Sequence, residues 1–182
     1  MSKSELSKVV SHALRHAPWL YELELDSEGW VAVDELLGAL REEKLGWSTL
    51  NEADLAEMIA SSDKKRHELR EGRIRALYGH SVPGKLLKKL GEPPRDLFHG
   101  TSPEAAKLIK VDGLRPMGRQ YVHLSLDMAT AEQVGRRKAR KPVLLIVKAS
   151  DAYANGVAFY CGNDLVWLSG YIPAKFIDEV VI

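Results

Sequence analysis

One cysteine, Cys161, stands in 182 residues, so no disulfide can form within the chain and its cysteine usage gives no argument for export. No apolar run approaches the roughly 20 residues that a membrane span needs. No basic stretch followed by an apolar core opens the sequence. A cytoplasmic protein with no membrane partner is the expectation. An excess of one charge is also lacking: 26 Lys and Arg stand against 25 Asp and Glu, a formal net charge of +1, which excludes a strong general attraction to polyanions. There is no G-x-G-x-x-G and no P-loop, which argues against a Rossmann or Walker-type nucleotide site. There is no G-x-S-x-G nucleophile elbow either. Six histidines invite a metal, and His12 and His16 have a helical spacing that suits one ion. No third ligand has matching local spacing, so no metal is expected.

What is there is a soluble globular composition, 45% hydrophobic and 28% charged. The charge is unevenly placed. Lys64, Lys65, Arg66, Arg70, Arg73 and Arg75 crowd together with only Glu68 and Glu71 among them. Arg136, Arg137, Lys138, Arg140 and Lys141 form a second group with no acid inside it. Two basic groups on a balanced chain suggest a local anionic partner; solvated faces are the plainer reading of either group alone.

Proline and glycine at both ends of "VPGKLLKKLGEPP" mark a connection at residues 82–94, with room for a helical turn through "KLLKKL". This separates an N-terminal lobe, residues 1–81, from a C-terminal lobe, residues 95–182. In the first, Leu6, Val10, Ala13, Leu14 and Ala17 give one apolar helical face. Ser4 is the expected cap and Pro18 the stop. Lys8, His12, Arg15 and His16 share another face. Helices are expected through "VAVDELLGALREE" and "TLNEADLAEMIASSD", and a hairpin through "RHELREGRIRALYGHS" turning at "REGR". Three helices and a hairpin is the order of a winged helix, a module that often handles nucleic acid.

The second lobe opens with a strand through "DLFHG", which puts His99 at its end. The helix "SPEAAKLIKVDG" follows, with Ser102 as cap, Pro103 in the first turn and Gly113 at the end. Then come a strand "YVHLS", a helix "DMATAEQVGRRKARK", a buried strand "PVLLIVKA", two strands in "GVAFYCGNDLVWLSGYIP" and a last one at "EVVI". What could carry chemistry is a set of arginines and histidines at the ends of elements. Guanidinium forks match phosphate oxygens and stay charged at any working pH, so a phosphate dianion would suit them.

Six blocks of the sequence, in order, resemble the NAD-dependent tRNA 2′-phosphotransferases: "LSKVVSHALRHAP", "DKKRHEL", "IRALYGHS", "LFHGT", "YVHLS" and "VGRRKARKPVLL". The resemblance implies an α+β protein with a winged-helix-like RNA-binding lobe and an ADP-ribosyltransferase-like, split β-sheet lobe that binds NAD. It implies a monomer acting on RNA with a 2′-phosphate, as at a tRNA splice junction, with NAD consumed as co-substrate. The 2′-phosphate attacks C1″ of the nicotinamide ribose and expels nicotinamide. The 2″-hydroxyl then attacks phosphorus, releasing RNA with a free 2′-OH and ADP-ribose 1″,2″-cyclic phosphate.

Carried over block by block, the family's catalytic set falls on Arg15, His16, Arg66 and Arg137. Contacts to the substrate phosphate and RNA fall on Lys8, His80 and Ser81, and contacts to NAD on His99, Gly100, Thr101, His123 and Ser125. Gly100 is expected to let NAD approach the backbone. The sequence departs from the family pattern at Tyr78 and His67. An extra residue in "RRKARKP" leaves Arg136 beside Arg137 as a candidate, with the V-G-x-R alignment favouring Arg137. Val166 stands where many ADP-ribosyltransferases have a glutamate. A phosphate nucleophile is already an anion, needs no base and would be repelled by a carboxylate. An ADP-ribosyltransferase acting on protein or nucleic-acid ends is the alternative, and a non-enzymatic RNA-binding module a third reading.

Overall fold

The structure, a computed structural model, describes residues 2–77 and 88–181, and the chain divides into two compact units, residues 1–86 and 87–182. In the first unit, helix α1 spans Lys3–Ser11. It begins earlier than the Ser4 cap predicts, because Ser2 is extended and its hydroxyl accepts from the Glu5 amide. The last turn, His12–His16, is π-helical, with the Ala17 amide donating to the His12 carbonyl at 2.9 Å. Pro18 disfavours helical geometry at Ala17, whose φ is −143°, and a 3₁₀ turn follows at Pro18–Tyr21.

Strand β1, Val31–Ala32, takes the first two residues of the expected second helix, and α2 runs Val33–Glu43. Helix α3, Glu52–Ala60, has a capping box: the Asn51 side chain accepts from the Ala53 and Asp54 amides, and the Asp54 carboxylate accepts from the Asn51 amide. Strands β2, His67–Arg70, and β3, Arg73–Ala76, form the expected hairpin. Its two turn residues, Glu71 and Gly72, both have positive φ, at 51° and 72°, the geometry that matches the twist of paired strands. The sheet order is β1-β3-β2. Leu6, Val10, Ala13 and Leu14 bury against Leu36, Leu40, Leu55 and Ile74 in one core, so the apolar face read from the sequence is the buried one.

In the second unit, β4, Lys89–Leu90, pairs antiparallel with a later strand, where the sequence suggests a helical turn. Residues 82–87 of that connection lie outside the described residues. Strand β5, Leu97–Thr101, is followed by α4, Pro103–Asp112, whose Ser102 cap, first-turn Pro103 and terminal Gly113 are as expected. Then come β6, Val122–Ser125, α5, Met128–Lys138, and β7, Val143–Val147. A short α6, Ala149–Ala154, not anticipated from the sequence, precedes β8, Phe159–Cys161, and β9, Val166–Ser169. Strand β10, Ile177–Glu179, lies earlier than the expected "EVVI". The order is β10-β7-β5-β6-β9-β8-β4, with every pairing antiparallel.

This sheet has a seam. Strands β5 and β6 share a single register pair, Phe98 with Ser125, whereas β5 and β7 share five. The described residues thus form a mixed α/β protein with two sheets and six α-helices. None of the described helices is long and apolar enough to cross a membrane.

Candidate active site

In the first unit the π-helical turn carries Arg15 and His16, and Arg66 directly precedes β2. The Arg15 Nη2 donates to the Arg66 carbonyl at 3.4 Å, across 51 residues of sequence. Folding therefore brings two of the predicted arginines side by side. Immediately after Arg66, His67 is 3% exposed, and its Nε2 lies 3.2 Å from the Ser11 hydroxyl. Burial, and then the positive charges of Arg15 and Arg66, push the His67 pKa down to about 4. The ring is neutral at physiological pH, next to the point where the Arg15 guanidinium meets the Arg66 backbone.

His12 and His16 lie on the same π-helical turn. Their ring centroids are 6.4 Å apart, and His12 Nδ1 lies 2.9 Å from the Tyr21 hydroxyl. Among the described residues, no group of three or more His, Cys, Asp or Glu is placed to hold a metal.

Two residues of the first basic group are paired. Arg73 binds Asp26 at 2.7 Å, and Arg75 binds Glu68 at 2.9 Å while covering the Trp30 ring at 4.6 Å. Lys64, Lys65, Arg66 and Arg70 have no carboxylate partner among the described residues. Lys8 and Arg66 line one groove.

In the second unit, His99, Thr101, His123 and Ser125 are all buried on β5 and β6, beside the seam. His99 lies in the middle of its strand, not at its end: β5 continues through Gly100 and Thr101. Its Nδ1 donates to the His123 carbonyl at 3.0 Å. A carbonyl can only accept, so Nδ1 carries a proton.

Gly100 has a packing reason that the sequence does not show. A Cβ there would lie 1.8 Å from the Ala131 carbonyl oxygen and 2.8 Å from the Gly135 nitrogen, both on α5. The direction in which its side chain would point is filled by the helix. Gly135 answers from the other side: its Cβ would lie 3.2 Å from the Gly100 backbone and 2.7 Å from Pro142. The two glycines set how closely α5 lies on β5, and α5 carries Arg137.

Comparison with known proteins decides the family. The chain matches, over residues 1–171, the family described as "RNA 2′-phosphotransferase, Tpt1 / KptA family". A protein of Acetivibrio thermocellus named "Probable RNA 2′-phosphotransferase" is 57% identical over 175 residues, covering 96% of this chain and 95% of its own length. One of the same name from Bacillus thuringiensis subsp. konkukian is 55% identical over 174 residues, covering 96% and 94%. A third, from Agrobacterium fabrum, is 45% identical over 173 residues, covering 94% and 91%. The chain belongs to the RNA 2′-phosphotransferase family.

In this family member the two arginines on the last turn of α5 have different surroundings. Arg136 is exposed and bound to Glu132 at 2.6 Å, whereas Arg137 is half-buried. Lys138 Nζ lies 3.5 Å from the Gly100 carbonyl. Val166 opens β9, is buried and pairs in register with Ser125. His80 and Ser81, and the departure at Tyr78, lie outside the described residues. Sequence reading gave His67 no role beyond a departure from the family pattern. The signal was present, since a histidine next to a candidate phosphate arginine stands where an aromatic is usual.

Proposed function

We propose that the chain removes an internal RNA 2′-phosphate by transferring it to NAD, with unit 1 supplying affinity for the RNA and unit 2 binding NAD. The observation that carries this reading is the meeting of Arg15 and Arg66 from distant parts of the sequence. A phosphate dianion is the ligand that arginines brought to one place suit best. The three helices, small sheet and β2–β3 hairpin of unit 1 support a winged-helix-like reading. The single-pair seam between β5 and β6 supports a split-sheet, ADP-ribosyltransferase-like reading of unit 2.

The residues of unit 2 fit NAD chemically. With Nδ1 committed to the His123 carbonyl, the His99 ring is held in one orientation, and it is assigned to a ribose hydroxyl of NAD. Thr101 on β5 and Ser125 on β6 add buried hydroxyls. Gly100 contributes by seating α5.

The RNA 2′-phosphate is already ionised and attacks C1″ of the nicotinamide ribose, and nicotinamide departs. Arg15 and Arg66 hold and orient that phosphate, and the family resemblance assigns Arg137 to the same task. This favours the first step by orientation. The apolar Val166 suits a nucleophile that needs no base and would be repelled by a carboxylate. In the second step the 2″-hydroxyl attacks phosphorus, and negative charge grows on the phosphoryl oxygens, where guanidiniums act most strongly. His16 takes the proton of that hydroxyl as the P–O2′ bond breaks, and the departing RNA 2′-oxygen gains a proton. RNA with a free 2′-OH leaves, with ADP-ribose 1″,2″-cyclic phosphate.

The second step needs more help than the first, so His16→Ala and Arg66→Ala are expected to accumulate ADP-ribosylated 2′-phospho-RNA. Loss of one transition-state donor costs about 10²–10³ in rate. The assay is a gel of a 2′-phosphorylated oligonucleotide incubated with NAD. Slow turnover with no such band would overturn the assigned roles. A stable adduct as the wild-type end product would favour an ADP-ribosyltransferase instead.

A further inference from the structure

Between α1 and the segment joining α3 to β2 runs a groove of about 440 Å³. On one wall Lys3, Ser4, Ser7 and Lys8 follow helical spacing along α1. On the other are Ser61, Ser62, Asp63, Lys64 and Arg66, and the floor includes the buried Met58. Lys3 is held at the rim by Glu57 at 2.7 Å. Lys64 and Arg66 have no carboxylate partner among the described residues, and Lys8 acts on the Glu5 carboxylate only through space. The Ser61 and Ser62 hydroxyls are committed as donors to the carbonyls of Met58 and Lys64, while Ser4 and Ser7 make no side-chain hydrogen bond among the described residues.

Lys8, Lys64 and Arg66, with the hydroxyls of Ser4 and Ser7 and against the single acid Asp63, leave a concave cleft of net positive charge above Met58. Its volume falls within the roughly 300–1,000 Å³ of small-ligand clefts, larger than one phosphate requires. Arg66 belongs to both this groove and the Arg15 contact, so the groove begins where the proposed 2′-phosphate is held and leads away along α1.

We infer that this groove binds the phosphodiester backbone of the RNA strand flanking the 2′-phosphorylated nucleotide, with Lys64 and Lys8 each engaging one backbone phosphate. This rests on the reading of unit 1 as the RNA-binding part and extends it, since the notion of a substrate phosphate alone assigns nothing to Lys64, Ser4 or Ser7. Binding is electrostatic and independent of base identity, because phosphate contacts position a strand without reading it.

The test is fluorescence anisotropy of the full chain with a labelled single-stranded RNA hexamer that carries no 2′-phosphate, so it reads independently of NAD chemistry. A second hexamer has neutral methylphosphonate linkages. Lys64→Gln and Lys8→Gln are each expected to weaken binding of the charged hexamer about 5-fold, the size of one exposed ion pair. Each should lower the slope of log K against log salt by about 0.7. Neither should affect the neutral hexamer. Arg70→Gln, outside the groove, should match wild type. Charged-hexamer affinities equal to wild type in both lysine variants, or equal losses on the neutral hexamer, would overturn the inference. Where turnover is measured, Lys64→Gln should raise KM for a 2′-phosphorylated hexamer, leave kcat unchanged and leave a 2′-phosphorylated dinucleotide unaffected. A loss of kcat would place Lys64 in the chemistry instead. Failure of all turnover would refute the phosphotransfer reading while leaving the binding result to stand or fall alone.

Discussion

Replacing Gly100 by alanine puts a methyl group where β5 and α5 leave no room. The new Cβ would lie 1.8 Å from the Ala131 carbonyl oxygen, whereas real Cβ contacts essentially never fall under 3.0 Å. The obstacle is helix backbone, which no rotamer change can move. Helix α5 must retreat by roughly 1.2 Å, and a gap of about 0.5–1 Å already forfeits a quarter to a half of a dispersion contact. That gap would run along the buried Ala131, Val134 and Gly135. Overpacking costs about 1–3 kcal/mol when side chains can adjust, so about 3 kcal/mol or more is expected here. For a unit of this size that lowers Tm by roughly 10 °C or more. Arg137 moves with the helix, and a misplacement of about 1 Å costs on the order of 10² in rate. The assay pairs thermal unfolding with single-turnover kinetics on a 2′-phosphorylated oligonucleotide. Gly38→Ala in α2 is the control: its Cβ meets nothing within 4 Å, and it should gain about 0.5–1 kcal/mol from helix propensity. A Gly100→Ala protein that melts within 2 °C of wild type (roughly half a kcal/mol) would refute the reasoning.

His67 gives a pH signature. Its pKa is about 4 in the folded chain against 6.5 ordinarily, so between those values the unfolded chain binds a proton that the folded chain does not. Stability is therefore full above pH 6.5 and falls as pH drops toward 4, by about 3 kcal/mol. His67→Phe should flatten that part of the Tm–pH curve, and an unchanged difference between pH 7 and pH 4.5 would contradict the burial argument. Arg136→Gln should leave turnover near wild type, because Arg136 is exposed and engaged with Glu132, while Arg137→Gln should lose about 10²–10³; equal losses in steady-state assays would reverse the assignment. Asn51→Ala removes the acceptor for two amides at the start of α3 and should cost about 1 kcal/mol, read as a lower denaturant midpoint.

Local signals were legible where a local rule decides the structure. Ser102, Pro103 and Gly113 bound α4 as read, and the glycine in "REGR" allows the tight turn between β2 and β3. Features that depend on distant partners were not. The π-helical turn at His12–His16 arises where the proline-imposed conformation of Ala17 meets a buried helix end. Strand β4 is two residues long and exists only through β8. The pairing of Gly100 with Gly135 is invisible in sequence because 35 residues and two other elements separate them. For the site, residue types suggested phosphate, and only folding shows Arg15 beside Arg66 with a neutral His67 next to them.

The fate of the phosphate tests the account most directly. An oligonucleotide carrying a ³²P-labelled 2′-phosphate, incubated with the chain and NAD, should lose its label only when NAD is present. All of that label should appear in ADP-ribose 1″,2″-cyclic phosphate, with one nicotinamide released per phosphate. Label released as inorganic phosphate, or removed without NAD consumption, would contradict transfer to NAD.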